Sequence, residues 1–199
     1  LLHNNQKELA IQEDETAIVI YILGEFYEHS KDVDFVRDLY ETLIQPAGHF
    51  LTRFVDSSTG LPHASYDLWE ERFGTHTYTA AVTYQALLVA ADFAEQFEYP
   101  DDALKWRETA NTMLKNSGIF FDTERGAYRK GFLLHEGGSL VFDNTLDVSS
   151  FYGVMMFGFH DHGAENIHKT CRLIEETLLD QSPSKGTPRY ENDQYFRID

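Results

Sequence analysis

Three times along the chain, an apolar segment that predicts a helix buried on nearly every face is followed by a short turn, an amphipathic segment and then a long loop. The apolar segments are Ala17 to Phe26, Tyr78 to Phe97 and Leu146 to Phe159. Asp14 and Glu15 suit the first turn of the first, where carboxylates meet the positive end of a helix dipole. Their amphipathic partners are Asp32 to Val55, Asp101 to Lys115 and Ala164 to Leu179. In the first partner Phe35, Val36, Leu39, Tyr40, Leu43 and Ile44 recur at three-and-four spacing, and Pro46 predicts a kink or break. The buried helices start about 65 residues apart, as a ring of antiparallel helix pairs requires, with inner helices packed all round and outer ones half exposed. Three pairs make half of a six-pair ring. The expectation is one all-α domain over 1–199, the central part of a toroid, whose open edges are completed by sequence before Leu1 and after Asp199 or by another chain.

In such a ring every outer-to-inner loop emerges on the same rim. These loops are Asp56 to His76, Gly118 to Asn144 and Gln181 onward. Long loops on a rigid scaffold are where functional groups gather, so the chemistry is expected there. Within the second loop, Phe120-Phe121-Asp122 and Ala127-Tyr128-Arg129 flank Glu124-Arg125-Gly126 and predict a small β-hairpin.

Charge narrows the partners. Lys and Arg number 16 against 33 Asp and Glu, a net charge of -17, which repels nucleic acid and an anionic membrane surface alike. Apolar runs such as Ala17 to Leu23 fall far short of the roughly 20 residues that span a bilayer. The chain therefore reads as soluble, with the cytoplasm favoured. The single cysteine, Cys171, has no cysteine partner for a disulfide or a cysteine-rich metal centre. His160-Asp161-His162 with His168 is better explained as a helix-end turn on the far rim than as a metal site, and Asp101-Asp102 after Pro100 as helix capping. No metal and no cofactor is implied.

The densest chemical group is Ser65-Tyr66-Asp67-Leu68-Trp69-Glu70-Glu71-Arg72-Phe73-Gly74-Thr75-His76. It holds three carboxylates within five residues, a tryptophan between them and an arginine beside them. A solvated acidic loop with Trp69 plugging the rim is the bland alternative. Glycoside hydrolysis, however, needs a carboxylic acid to protonate the leaving oxygen and aromatic surface against the sugar. A second aromatic-acid-arginine group, Arg189-Tyr190-Glu191-Asn192-Asp193-Gln194-Tyr195, falls on the same rim. Two such groups facing one cavity suit a polyhydroxylated ligand, with Tyr66, Tyr190 and Tyr195 among the lining residues. His76 either aims a ring nitrogen at a sugar hydroxyl or satisfies loop carbonyls.

The segment Asp67-Leu68-Trp69-Glu70-Glu71, with Gly74 and Thr79, resembles the catalytic-acid segment of glycoside hydrolase family 15, the glucoamylase type. Gln12-Glu13-Asp14-Glu15 is similar to a segment opening an inner helix in its bacterial and archaeal members, and Arg189-Tyr190-x-x-Asp193-x-Tyr195 to a later one. The three occur in family order. The resemblance implies an (α/α)6 barrel and an enzyme that releases glucose from the non-reducing end of α-glucans or α-linked disaccharides with inversion. It makes Glu70 the general acid. Asp67, Trp69, Glu71, Arg189 and Asp193 become substrate-binding or supporting residues, joined by Tyr66 and His76. The family's second glutamate, the base that activates water, would lie beyond Asp199, and an early Arg-Asp substrate segment before Leu1. Isolated, the chain is therefore expected to be inactive. The alternative is a carbohydrate-binding or regulatory toroid without hydrolysis. As an acid, Glu70 needs its pKa raised by burial against Trp69 or by the charges of Glu71 and Asp67, while Arg72 and Arg189 are expected to neutralise those neighbours.

Overall fold

The structure is a computed structural model, and it describes residues 11–135, 137–160, 164–179 and 186–193. Three apolar helices line up side by side: α1 (Glu13–Ser30), α4 (Thr77–Gln96) and α6 (Val148–Met156). Against their outer side lie α2 (Val33–Asp38), α3 (Gln45–Arg53), α5 (Pro100–Asn116) and α7 (Ala164–Ile174). The central helix, α4, packs against α1, α3, α5 and α6. Its buried face is built from Ala80, Ala81, Ala86, Ala90, Ala91 and Ala94, whose short side chains admit close neighbours on several sides. One such neighbour is α6, where a Cβ on Gly153 would lie 3.1 Å from the Tyr78 Cα.

The predicted inner and outer helices are present, with two refinements. The break expected at Pro46 takes the form of a π-helical turn at Tyr40–Ile44, just before α3, which carries the proline in its first turn. Proline has no N–H to donate and clashes with the carbonyl four residues earlier, and a widened turn accommodates both. The cap expected at Asp101-Asp102 is not made: Tyr99 is the N-cap, without a side-chain bond. Asp102 instead ties α5 to the preceding outer helix, accepting from Gln45 at 2.8 Å and Tyr40 at 3.3 Å and contacting His49 Nε2 at 2.8 Å.

Burial of the inner helices on every face is corrected at the two outermost. On α1, Ala17, Ile20 and Leu23 are buried, whereas Val19, Ile22 and Phe26 are exposed; on α6, Tyr152, Met155 and Met156 are exposed. Only α4 has an inner helix on both sides, so α1 and α6 each keep an apolar face that no described residue covers.

The long loops are more ordered than their sequence indicated. Beside the expected hairpin of β5 (Phe121–Asp122) and β6 (Ala127–Tyr128), β1 (Val55–Asp56) pairs with β2 (Leu61–Pro62). A four-stranded antiparallel sheet runs in the order β3 (Ser65–Tyr66), β4 (Phe73–His76), β7 (Gly131–Leu134), β8 (Leu140–Asp143). The β4–β7 pairing joins the first long loop to the second, so both lie on one rim, as the ring pattern required. Contact there is close: a Cβ on Gly131 would stand 2.4 Å from the Thr75 carbonyl oxygen. No helix among the described residues is long and apolar enough to cross a membrane.

Candidate active site

The acidic segment is the tip of the β3–β4 hairpin. Asp67 closes the tip: its N–H donates to the Arg72 carbonyl at 2.9 Å, and its Oδ1 accepts from the N–H groups of Glu71 and Arg72 at 2.8 and 2.9 Å. Glu70 N–H donates to the Asp67 carbonyl at 2.8 Å, with Glu70 at φ +58° in the left-handed region. A residue other than glycine held there marks a backbone over-determined by its surroundings. The hairpin thus presents Trp69, Glu70 and Glu71 from a tip locked by one buried carboxylate.

Asp67 is only 2% exposed, and its second oxygen lies 2.6 Å from Lys130 Nζ. Burial alone would raise its pKa. Lys130 and the Arg72 and Glu71 N–H groups outweigh that and hold it below the usual carboxylate range. Lys130, itself 2% exposed, also reaches Asp147 Oδ2 at 3.1 Å. Asp147 is the N-cap of α6, accepting from Ser149 N–H at 2.8 Å, and it accepts from the Trp69 indole N–H at 3.0 Å.

Residues 189–191 are laced to the same place by backbone bonds, Val148 N–H to the Arg189 carbonyl and Glu191 N–H to the Leu146 carbonyl, each 2.9 Å. Arg189 consequently meets Glu71 at 3.1 Å and chelates Asp193 at 2.7 and 2.9 Å, with its guanidinium 5.2 Å from the Trp69 ring. Those hydrogen bonds hold its pKa above the ordinary arginine value. Tyr190 donates its hydroxyl to the other Glu71 oxygen. Arg125 pairs with Glu191 at 2.5 Å and fixes the segment from behind.

Asp67, Trp69, Glu71, Arg189 and Asp193 are therefore brought together, with Tyr66 at the hairpin base against the Phe73 ring. Trp69 also borders a cavity of about 450 Å3 with Leu68, Tyr78, Phe151, Tyr152 and Thr187. Two expectations are corrected, and an open choice at His76 is narrowed. Glu70 is exposed rather than buried against Trp69, because the indole turns inward to Asp147 while the left-handed backbone turns residue 70 outward. Arg72 does not neutralise the neighbouring acids; it pairs with Asp143 at 2.6 Å, and the cation at Asp67 is Lys130. His76 is buried, and its Nε2-protonated tautomer donates to the Arg72 carbonyl at 3.1 Å, the second of the two roles considered for it. Burial lowers its pKa, so it is neutral at neutral pH. Tyr195, Asp161 and His162 lie outside the described residues. Among the described residues, no group of three His, Cys, Asp or Glu side chains is placed to hold a metal.

Sequence reasoning missed Lys130 and Asp147. The signal for Lys130 was its place between Tyr128 and Phe132 on the inward face of an alternating stretch. For Asp147 it was the Asp-x-Ser start of an apolar helix.

Beneath the hairpin, Glu13 and Asp14 open α1, 1% and 2% exposed. Burial pushes Glu13 up to about 7 and Asp14 to about 6. A carboxyl whose folded pKa exceeds its unfolded value of 4.5 favours folding while protonated, and that advantage is lost as pH rises from 4.5 through about 7. Stability of the wild-type protein is therefore expected to fall between pH 5 and 8. Glu13→Gln should flatten that fall and be more stable at pH 8 by about 1 to 3 kcal/mol. Urea denaturation midpoints at the two pH values measure it; parallel profiles for the two proteins would refute the burial argument.

The chain has relatives among known proteins. Residues 5–197 match the family model for glycosyl hydrolases family 15. An uncharacterized glycosyl hydrolase of Methanocaldococcus jannaschii is 28% identical over 190 residues, 94% of this chain and 28% of that protein. Glucoamylase 1 of Rhizopus oryzae is 30% identical over 130 residues, 63% of this chain and 21% of that enzyme. A bacterial glucoamylase solved with acarbose superposes over 94% of this chain and 28% of its own, with a TM-score of 0.72 at 22% identity. Glucoamylase from Saccharomycopsis fibuligera superposes over 92% of this chain and 46% of its own, with a TM-score of 0.65 at 18% identity. The chain thus spans just over a quarter of the archaeal relative's length. With half a ring of paired helices, a carboxylate-bearing hairpin on its rim and a family match across nearly all of its residues, the chain belongs to glycosyl hydrolases family 15.

Proposed function

We propose that this chain is the central part of a catalytic (α/α)6 barrel that releases glucose from the non-reducing end of an α-glucan or α-linked disaccharide with inversion. The observation that carries this reading is the pairing of Glu71 with Arg189 and Tyr190, which leaves Glu70 as the hairpin-tip carboxylate not engaged by any of the described residues. Glu70 is the general acid: its proton goes to the glycosidic oxygen as the bond to the anomeric carbon breaks. Water attacks from the opposite face, its oxygen joins the anomeric carbon, and its proton goes to a carboxylate base supplied by the remainder of the barrel. An inverting pair stands roughly 6.5 to 9.5 Å apart, leaving room for that water. Trp69, Glu71, Arg189 and Asp193 hold the sugar, the indole offering an apolar face and the charged groups addressing its hydroxyls.

The test is glucose release by the full-length protein from maltooligosaccharides, isomaltose and trehalose, with the anomer followed by NMR. β-Glucose as the first product is expected from maltooligosaccharides and isomaltose, and one β- with one α-glucose from trehalose. α-Glucose alone as the new product would refute inversion. Sugar binding without release would move the protein to a regulatory or carbohydrate-binding role.

A further inference from the structure

Lys130 stands where the three segments of the site meet. Its Nζ lies 2.6 Å from Asp67, which locks the hairpin tip, and 3.1 Å from Asp147, which holds the Trp69 indole. It also lies 4.4 Å from the centre of the Tyr190 ring, whose hydroxyl engages Glu71. Lysine carries a high entropic and desolvation cost when buried, and a 2%-exposed lysine persists only where its charge is matched. Here one cation faces two carboxylates, so Asp67 and Asp147 can approach each other only with Lys130 between them. Without it they would repel in a low-dielectric setting, and the hairpin tip and the start of α6 would separate.

We propose that Lys130 is a positioning residue for the general acid, fixing the Trp69-Glu70-Glu71 tip against α6 and the Arg189-Tyr190 segment. This rests on the glycosidase reading above. Lys130 does not reach the sugar; it acts through Asp67 and Asp147. A shift of about 1 Å in a catalytic group costs on the order of 10²-fold in rate.

The experiment compares maltose, whose leaving group must be protonated, with α-glucosyl fluoride, whose leaving group needs little proton assistance, in the full-length protein. Lys130→Met is expected to lower kcat on maltose about 10²-fold and kcat on the fluoride at least tenfold less. Because Lys130→Met strands two buried carboxylates, Lys130→Met/Asp147→Asn is made beside it; this pair keeps the net charge of the cluster and should fold with a wild-type circular dichroism spectrum and the same selective loss. Equal losses on both substrates, or none, would overturn the assignment. So would failure of both variants to fold, which would make Lys130 a residue of the fold alone. Wild-type protein inert toward the fluoride and toward maltose, isomaltose and trehalose alike overturns the glycosidase reading, and the assignment falls with it; active wild type with an unchanged ratio in the variants overturns only the role of Lys130.

Discussion

Glu70→Gln in the full-length protein is expected to lower kcat on maltooligosaccharides by about 10² to 10⁴-fold, the range for losing a general acid, while oligosaccharide affinity stays close to wild type. The amide keeps the shape of the side chain but cannot deliver a proton to the leaving oxygen. Folding should be unaffected, since Glu70 is exposed and its backbone N–H, which closes the tip on the Asp67 carbonyl, is retained. Glu71→Gln is the internal control. Glu71 accepts from Arg189 and Tyr190, so its loss should appear mainly in KM. Steady-state kinetics on the two variants separates the roles; near-wild-type activity in Glu70→Gln would remove Glu70 from the mechanism.

Asp67→Ala should be the most destabilising single change at the site, by about 3 to 5 kcal/mol, the range for removing one partner of a buried ion pair. It takes away the closest partner of Lys130 and the acceptor of two backbone N–H groups. Thermal or urea denaturation measures it. Asp67→Asn should cost less, because the amide oxygen can still accept from Glu71 and Arg72. The pH dependence has the opposite sign to that of Glu13. The folded pKa of Asp67 lies below its ordinary 3.8, so its contribution is complete above 3.8 and is lost as pH falls through the lower folded value. A change of less than about 1 kcal/mol in Asp67→Ala would show that Asp147 alone can satisfy Lys130.

These two residues show how the acid segment divides its work. Asp67, Glu70 and Glu71 fall within five positions of one another, yet one is buried under a lysine, one is exposed and one is paired across to Arg189. Their chemistry follows from that sorting, and the hairpin backbone performs it. The left-handed conformation at Glu70 turns it away from its neighbours, while the N–H groups of Glu71 and Arg72 converge on Asp67.

The sequence by itself determined the ring of paired helices, because burial on an inner or outer face leaves its period in the chain: nearly continuous apolar residues in α4, a stripe in α5. It also determined the rim on which chemistry should be sought and the Asp67-to-Glu71 segment, where unlike residue types are concentrated. The sheet across the two long loops was illegible, since strands of two to four residues are too short for an alternation to be read. Only the tertiary structure decided which cation answers which acid. Arg72 is adjacent in sequence yet pairs with Asp143, whereas Lys130, 63 positions from Asp67, arrives because β7 lies against β4. Charge pairing acts through distance in space, which the order of residues along the chain does not record: Arg72 finds Asp143 on β8, and Asp67 finds Lys130 immediately before β7.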